Sequence, residues 1–290
     1  MKFSAPAKIN LHLKVTRTLP NGYHELDTSF AYVDIADELI ISPADELSVT
    51  CSKPRLSGEN NLVYTVLNAF RKQHGLSSGL SIHIDKHLPD QAGLGGGSSD
   101  AASALMVANN HWGLDCSKAE LIRFATPFGA DIPCFLFQRA SLASGIGELL
   151  SAYPNTLPGG YLLLAYPGIG LSTPEVFNCF DEQRNSAAPL THNGAVDTIR
   201  ASSETPIGDN DLEPCACALS GEVDDLLKEM RKASDMVWMS GSGSTCVALF
   251  KNRSEAESVA SMLQNRELAT WTHVGKLLEK HPLESTKIGA

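Results

Sequence analysis

The segment Gly93-Leu94-Gly95-Gly96-Gly97-Ser98-Ser99-Asp100 constrains this chain more than any other. A plain glycine run would read as a linker, but here Leu94 interrupts the glycines and an Ala-rich helical stretch, residues 101–112, follows at once and closes at Gly113. Glycines let the backbone turn tightly with its N–H groups uncovered. The helix that follows aims its N-terminus, the positive end of its dipole, at whatever occupies the turn, which makes an anion site. Ser98 and Ser99 add hydroxyls near the cap, suited to phosphate oxygens or to a metal ion on them. The competing reading is a loop whose glycines serve turn geometry alone. No Gly-Lys-Ser/Thr closes the segment, so it is not the usual P-loop, and no Gly-x-Gly-x-x-Gly dinucleotide fingerprint occurs. Gly-x-Ser-x-Gly is missing, and His24-Glu25 lacks the second histidine of a metalloprotease helix. Phosphate binding by backbone is what remains.

Composition narrows the partners. The chain has 290 residues, 43% of them hydrophobic and 19% charged, which excludes a disordered chain of low hydropathy. With 33 acidic against 23 basic residues the net charge is −10, which argues against a nucleic-acid backbone binder. An anionic ligand must then be held by local devices, such as a helix N-terminus or one placed lysine. No continuous apolar h-region opens the chain, because Ile9, Leu11 and Leu13 alternate with Asn10, His12 and Lys14. The longest apolar run, near residues 161–166, is far short of a membrane span. The seven cysteines are odd in number and scattered, the pattern of reduced thiols in a cytoplasmic protein. Cys215-Ala216-Cys217 has no second pair at zinc spacing and reads as packing. The expectation is a soluble cytoplasmic protein, a monomer or weak homodimer, with no membrane or nucleic-acid partner.

Along the chain, residues 7–15 alternate as a strand with one buried face, which places Lys8, Asn10 and His12 together on the other. After Pro20-Asn21-Gly22 come strand-like residues 29–33 and 38–42, a helix over 61–73 stopped by Gly75, and a strand through Leu80, Ile82 and Ile84 that ends near Pro89. Ser117-Lys118-Ala119-Glu120 is a capping box. Gly129-Ala130-Asp131-Ile132-Pro133 breaks the helix it starts, and residues 134–137 read as a strand beyond that turn. The Pro- and Gly-rich stretch 153–160 divides the chain into 1–152 and 153–290. The second half predicts a strand over 161–166, a helix after Thr173-Pro174, a loose polar excursion over 182–207 and a helical stretch over 211–232. Paired strands 236–239 and 246–250 then flank Ser240-Gly241-Ser242-Gly243-Ser244, and Ser254 caps a last helix. The fold class is α+β in two domains, with mixed sheets covered mainly on one face and the site in the cleft between the halves.

Several of these motifs stand in the order of a known superfamily. Pro6-Ala7-Lys8-Ile9-Asn10-Leu11, Pro89-x-x-Ala92 leading into the glycine segment, and Ser240-Gly241-Ser242-Gly243-Ser244-Thr245 resemble the signature motifs of the galactokinase, homoserine kinase, mevalonate kinase and phosphomevalonate kinase enzymes. With Gly22-Tyr23-His24-Glu25-Leu26 and Gly129-Ala130-Asp131-Ile132-Pro133, the pattern resembles the branch that phosphorylates a CDP-linked methylerythritol in the non-mevalonate route to isoprenoid precursors. The resemblance runs from residue 6 to about residue 250. It implies an ATP-dependent alcohol phosphotransferase using Mg2+. Asp131 matches the catalytic base, Lys8 the lysine beside it, and Asn10 an asparagine that orients substrate or phosphate. Tyr23 falls where the family stacks the cytosine and His24 where it reads the base edge. Thr173 and Phe177 fall in the segment that closes that pocket. The ATP site is carried onto Asn61, Lys86 and the run Pro89, Asp90, Gln91, Ala92, Gly93, Leu94, Gly95, Gly96, Gly97, Ser98 and Ser99. One departure stands out: Cys134-Phe135-Leu136-Phe137 runs into Gln138-Arg139 where the family reaches a glycine, and the pattern resumes at Gly145-Ile146-Gly147-Glu148.

Each residue also has an ordinary reading. Asp131 alone would be a turn aspartate and Lys8 a solvated strand lysine; Tyr23 would be a core aromatic and His24 a loop histidine. His12, His74, His83, His87, His111, His192, His273 and His281 read as structural or exposed. The alternatives are a homoserine or mevalonate kinase of the same superfamily, a non-catalytic nucleotide-binding regulator, and an acidic hydrolase, which the absent nucleophile signals weaken.

Overall fold

In the computed structural model, which describes residues 1–20, 22–186 and 206–284, one long ribbon organises the molecule. β1 (Lys2–Thr18) pairs antiparallel with β2 (His24–Ala44) from Lys2↔Ile40 to Thr18↔His24, with register shifts after Pro6, Asn10 and Val15. The two strand signals at 29–33 and 38–42 are therefore parts of one strand. β3 (Ser48–Cys51), α1 (Leu62–Gln73), β4 (Gly79–Asp85), α2 (Gly96–His111), α3 (Lys118–Ala125), α4 (Ile132–Phe137), β5 (Ser141–Ser144) and β6 (Leu149–Ala152) complete the first half. Its sheet runs β3-β4-β2-β5-β6, with β1 also paired to β2.

The second half holds β7 (Tyr161–Tyr166), α5 (Thr173–Ser186), α6 (Glu213–Leu219), α7 (Gly221–Met230), β8 (Val237–Met239), β9 (Cys246–Phe250), α8 (Arg253–Asn265) and β10 (Trp271–Gly275) around a sheet ordered β10-β7-β9-β8. β11 (Leu277–Leu278) then returns to pair with β2, so the chain's last described segment packs on the first sheet. His281 in that segment is buried edge-on to Tyr32, and burial pushes its ring down to about 3, which keeps it neutral.

Helices α1, α2 and α4 bury Val66, Phe70, Leu105 and Phe135 against the first sheet, and α6, α7 and α8 bury Cys215, Leu227 and Leu263 against the second. A third core, with Ala7, Ile9 and Leu11 of β1 and Val33 of β2 against Leu162, Leu164, Val247 and Trp238, joins the two sheets face to face. The fold is α+β, but β1 is not half-exposed. Its apolar face meets the second sheet, while Lys8, Asn10 and His12 are each 3% exposed on the other face.

Several local signals hold. Asn61 caps α1 by accepting from the Val63 N–H, and Ser117 with Glu120 forms the capping box of α3. Others shift. Residues 134–137 are helix, not strand, because Pro133 in the first turn of α4 sets a helical φ and needs no acceptor. The departure at Gln138 is the left-handed end of that helix (φ +65°), and Arg139 pairs with Glu284 of the returning segment. The 211–232 stretch is two helices, divided where Ser220 caps α7. Asn252, not Ser254, precedes α8. Residues 182–186 end α5, whereas 187–205, with His192, and Asn21 of the Pro20-Asn21-Gly22 loop lie outside the described residues. β10 and β11 had no clear sequence signal: β10 carries polar residues and β11 is two residues long.

Candidate active site

The glycine segment is clamped from two sides before it becomes a helix. The Lys8 N–H donates to the Leu94 carbonyl at 3.0 Å, the Ser240 hydroxyl to the Gly93 carbonyl at 3.0 Å, and the Thr245 N–H to the Ala92 carbonyl at 3.1 Å. Gly93 has φ +76°, and a Cβ there would sit 2.3 Å from the Ser240 carbonyl oxygen, so glycine is required by close approach. Gly95 precedes α2 in the left-handed region (φ +69°), where a Cβ would crowd Phe135 and Lys8. The helix begins at Gly96, five residues earlier than residue 101, which puts Ser98 and Ser99 in its first turn. The leading N–H groups of a helix have no intrahelical acceptor, and in α2 that first turn carries the exposed Gly97. Ser99 is fully buried and donates to the Pro6 carbonyl at 2.7 Å, so its hydroxyl ties α2 to β1; Ser98 is half-buried beside Gly129.

Lys8 and Asp131 meet beside this turn. The Lys8 ammonium lies 3.3 Å from Asp131 Oδ2, with the lysine side chain 4% exposed and the aspartate side chain 37%. Asp131 precedes α4 but makes no cap hydrogen bond, which leaves its carboxylate facing Lys8. Lys8 also donates to Asn10 Oδ1 at 2.9 Å and sits 5.3 Å from the Phe30 ring centre. Asn10 is held at its backbone too: its N–H donates to Ser240 Oγ at 3.2 Å and its carbonyl accepts from the Trp238 indole at 2.8 Å. The Ser240–Ser244 loop thus reaches both the glycine turn and Asn10, and a Cβ on Gly241 would lie 3.3 Å from Asn10 Oδ1.

Of the remaining positions carried to the nucleotide, Lys86 and residues 89–92 adjoin this turn, whereas Asn61 makes its hydrogen bonds within residues 56–65. Lys86 is buried between Asp37 and Asp100, 2.9 Å from the latter, beneath Gly96. Burial alone would lower its ammonium, but the Asp100 and Asp37 carboxylates raise it well above the ordinary lysine range. Burial, seconded by Asp37, pushes Asp100 up to about 7 against the pull of Lys86. Lys86 thus braces the first turn of α2 as one member of a buried charge cluster. Asn61, as helix cap, also donates to the Leu56 carbonyl at 2.6 Å. Asp90 pairs with Lys53 at 3.2 Å and with Arg55, which pins the approach to the turn; Gln91 follows at φ +52° between Pro89 and the buried Ala92.

The aromatic cluster forms across the halves. Phe177 of α5 stacks on His24 of β2 with ring centres 4.5 Å apart and planes 21° from parallel. Both Asp181 carboxylate oxygens lie 3.0 Å from His24 Nε2, and Thr18 donates to Asp181 at 3.1 Å. Tyr23 is 58% exposed at the rim. Thr173, in the first turn of α5, bonds the Ser242 hydroxyl at 2.9 Å and so links this cluster to the glycine-serine loop. A cavity of about 480 Å³ lined by Arg17, Thr18, Asp181 and Arg184 adjoins the cluster.

The sequence reading missed Asp181, Trp238, Thr28 and the Asp37–Lys86–Asp100 cluster. Asp181 was within reach, since it stands four residues after Phe177 and shares its helix face. The others come from distant elements, β2, β8, α2 and the end of β4, whose packing the sequence does not print. Among the described residues no group of three or more His, Cys, Asp or Glu side chains is placed to hold a metal ion, and no helix is long and apolar enough to cross a membrane.

The chain is similar to known proteins along most of its length. Residues 61–139 match the family model for the GHMP kinases N terminal domain and residues 190–269 that for the GHMP kinases C terminal. The chain is 35% identical to 4-diphosphocytidyl-2-C-methyl-D-erythritol kinase of Chromobacterium violaceum over 97% of this chain and 96% of that protein. It is 39% identical to the Rhizobium etli protein of the same name, over 89% of each. A crystal structure of 4-(cytidine 5'-diphospho)-2C-methyl-D-erythritol kinase superposes with a TM-score of 0.76 at 32% identity, covering 96% of this chain and 99% of that one. Mevalonate kinase of L. major in complex with R-mevalonate shares the fold alone, with a TM-score of 0.67 at 14% identity, covering 97% and 96%.

Proposed function

The chain belongs to the GHMP kinase family, and from that premise we propose that it transfers the γ-phosphoryl group of ATP to a hydroxyl of 4-diphosphocytidyl-2-C-methyl-D-erythritol, giving the 2-phosphate. Phosphoryl transfer to an alcohol is mostly positioning and charge stabilisation, and it needs a base at the attacking oxygen. The observation that carries the reading is the Lys8–Asp131 pair, 3.3 Å apart, beside the first turn of α2. Asp131 receives the hydroxyl proton as the new O–P bond forms. Lys8, paired with that carboxylate, offers positive charge to the transferred group. At this distance and an effective dielectric of about 20 the pair is coupled by roughly 5 kcal/mol before desolvation and screening.

The N–H groups of α2 hold the ATP phosphates, with Gly93, Leu94 and Gly95 shaping the turn, Lys86 and the 89–92 approach bracing it, and Asn61 on the adenosine side. The half-buried Ser98 hydroxyl would hold a hard ion that keeps its other ligands as phosphate and water, so Mg2+ would enter with the nucleotide. When bound, it neutralises charge on the phosphates. Tyr23, His24, Thr173 and Phe177 take the cytidine; the stacked His24–Phe177 pair, anchored by Asp181, supplies an aromatic wall for the base. The halves divided at 152/153 then share the work: the first holds ATP and the reacting pair, the second closes over the substrate.

The test is a coupled ADP-release assay with MgATP and 4-diphosphocytidyl-2-C-methyl-D-erythritol, beside homoserine and mevalonate. Turnover with the cytidylyl substrate alone is expected. Turnover with homoserine or mevalonate instead would discard the cytidine pocket, and ATP binding with no turnover on any of the three would point to a regulator.

A further inference from the structure

We infer that Thr28 is a positioning residue for phosphoryl transfer, because its hydroxyl decides which end of the Asn10 amide faces Lys8. The inference rests on the reading of Lys8 and Asp131 as the reacting pair and adds a residue to it. A side-chain amide presents a donor at one end and an acceptor at the other, and only its partners fix which way it turns. Asn10 is anchored at its backbone N–H by Ser240 and at its carbonyl by Trp238, so the amide flip is the freedom left to settle.

Thr28 settles it through a proton count. Its Oγ1 lies 2.5 Å from the carbonyl oxygen of His12, which can only accept, so the single hydroxyl proton points there. Towards Asn10, 2.9 Å away, the same oxygen can then only accept, and it takes a hydrogen from Nδ2. Oδ1 is left for the Lys8 ammonium at 2.9 Å, and Lys8 reaches on to Asp131. The reversed amide would set two acceptors against each other at Thr28 and a donor against the ammonium at Lys8. Thr28 is fully buried and Asn10 and Lys8 are 3% exposed, which shuts out water as a substitute partner.

The β1–β2 ribbon supplies the accepting carbonyl. The register shift between Asn10 and His12 brings His12 opposite Ser29 and Leu13 opposite Thr28. The His12 ring, placed among structural or exposed histidines by sequence, is pinned at both nitrogens, by Ser29 Oγ at 2.8 Å and by Asp27 at 3.3 Å. The histidine therefore fixes the backbone that takes Thr28's proton.

The experiment compares Thr28→Val, which keeps the shape and removes the hydroxyl, with Thr28→Ser, which restores it, each also in an Asn10→Ala background. Thr28→Val is expected to lower kcat about 10- to 100-fold while KM for MgATP stays within about threefold, the scale of a misplaced reacting group. Thr28→Ser is expected within about threefold of the parent, and in the Asn10→Ala background the valine substitution should add little, as for residues acting as one unit. Full kcat in Thr28→Val would overturn the inference, as would independent, multiplicative losses with Asn10→Ala. Should Thr28→Val fail to fold, Thr28→Ala in both backgrounds gives the same cycle. A parent enzyme inactive on the cytidylyl substrate would refute the proposed function instead, which keeps the two failures apart.

Discussion

The glycine turn with Lys8 and Asp131, and the His24–Phe177 cluster, are two halves of one site built by opposite means. The turn is made of backbone: three main-chain carbonyls are clamped, Gly93 touches the Ser240 carbonyl, and the polar chain behind it is buried. The cluster is made of side chains brought from β2 and α5, with one stacked pair and one carboxylate, and Tyr23 at its exposed rim. In the proposed function the turn holds phosphates in line, which tolerates little displacement and suits a clamped backbone. A site that must admit and release a nucleoside needs area more than rigidity, and side chains on a helix at its edge supply that.

The largest expected effect tests the rigid half. Asp131→Asn removes the base while leaving the backbone cradle whole, so turnover should fall by about 10³-fold or more with ATP affinity within about twofold. Single-turnover kinetics and an ATP titration read the two separately, and near-normal turnover would sink the base assignment. Next, Gly93→Ala drives a methyl towards the Ser240 carbonyl at a positive φ. It should cost about 1–3 kcal/mol of stability and raise KM for ATP at least about tenfold. Gly97→Ala, with open space around it, should melt like the parent. If both alanines melt alike, the turn is not backbone-limited.

The smallest effect belongs to the side-chain half. Phe177→Ala should raise KM for the cytidylyl substrate about tenfold, since a stacked base is worth roughly 1–3 kcal/mol, while KM for ATP holds. Equal rises in both constants would erase the distinction drawn between the two regions.

That distinction also marks what could be read from the chain. The glycine turn and the Ser117 box are local patterns, and each forms where its residues stand, although the helix after the turn starts at Gly96. Residues 134–137 misled because a short apolar run has no period to separate strand from helix; Pro133 held the better signal. Alternation in β1 implied one wet face, yet Lys8, Asn10 and His12 are buried by partners from other elements. The same blindness hid the role of Lys86, whose two carboxylates come from β2 and α2.

By itself, then, the sequence determined the glycine turn at the head of α2 and the order of motifs around it, because φ preferences, caps and helix dipoles act within a few residues and need no distant partner. Tertiary structure alone decided that Asp131 faces Lys8, that Phe177 lies on His24 and that Thr28 turns the Asn10 amide. Those contacts depend on strand register, on a bulge and on the burial that makes each hydrogen-bond partner irreplaceable by water.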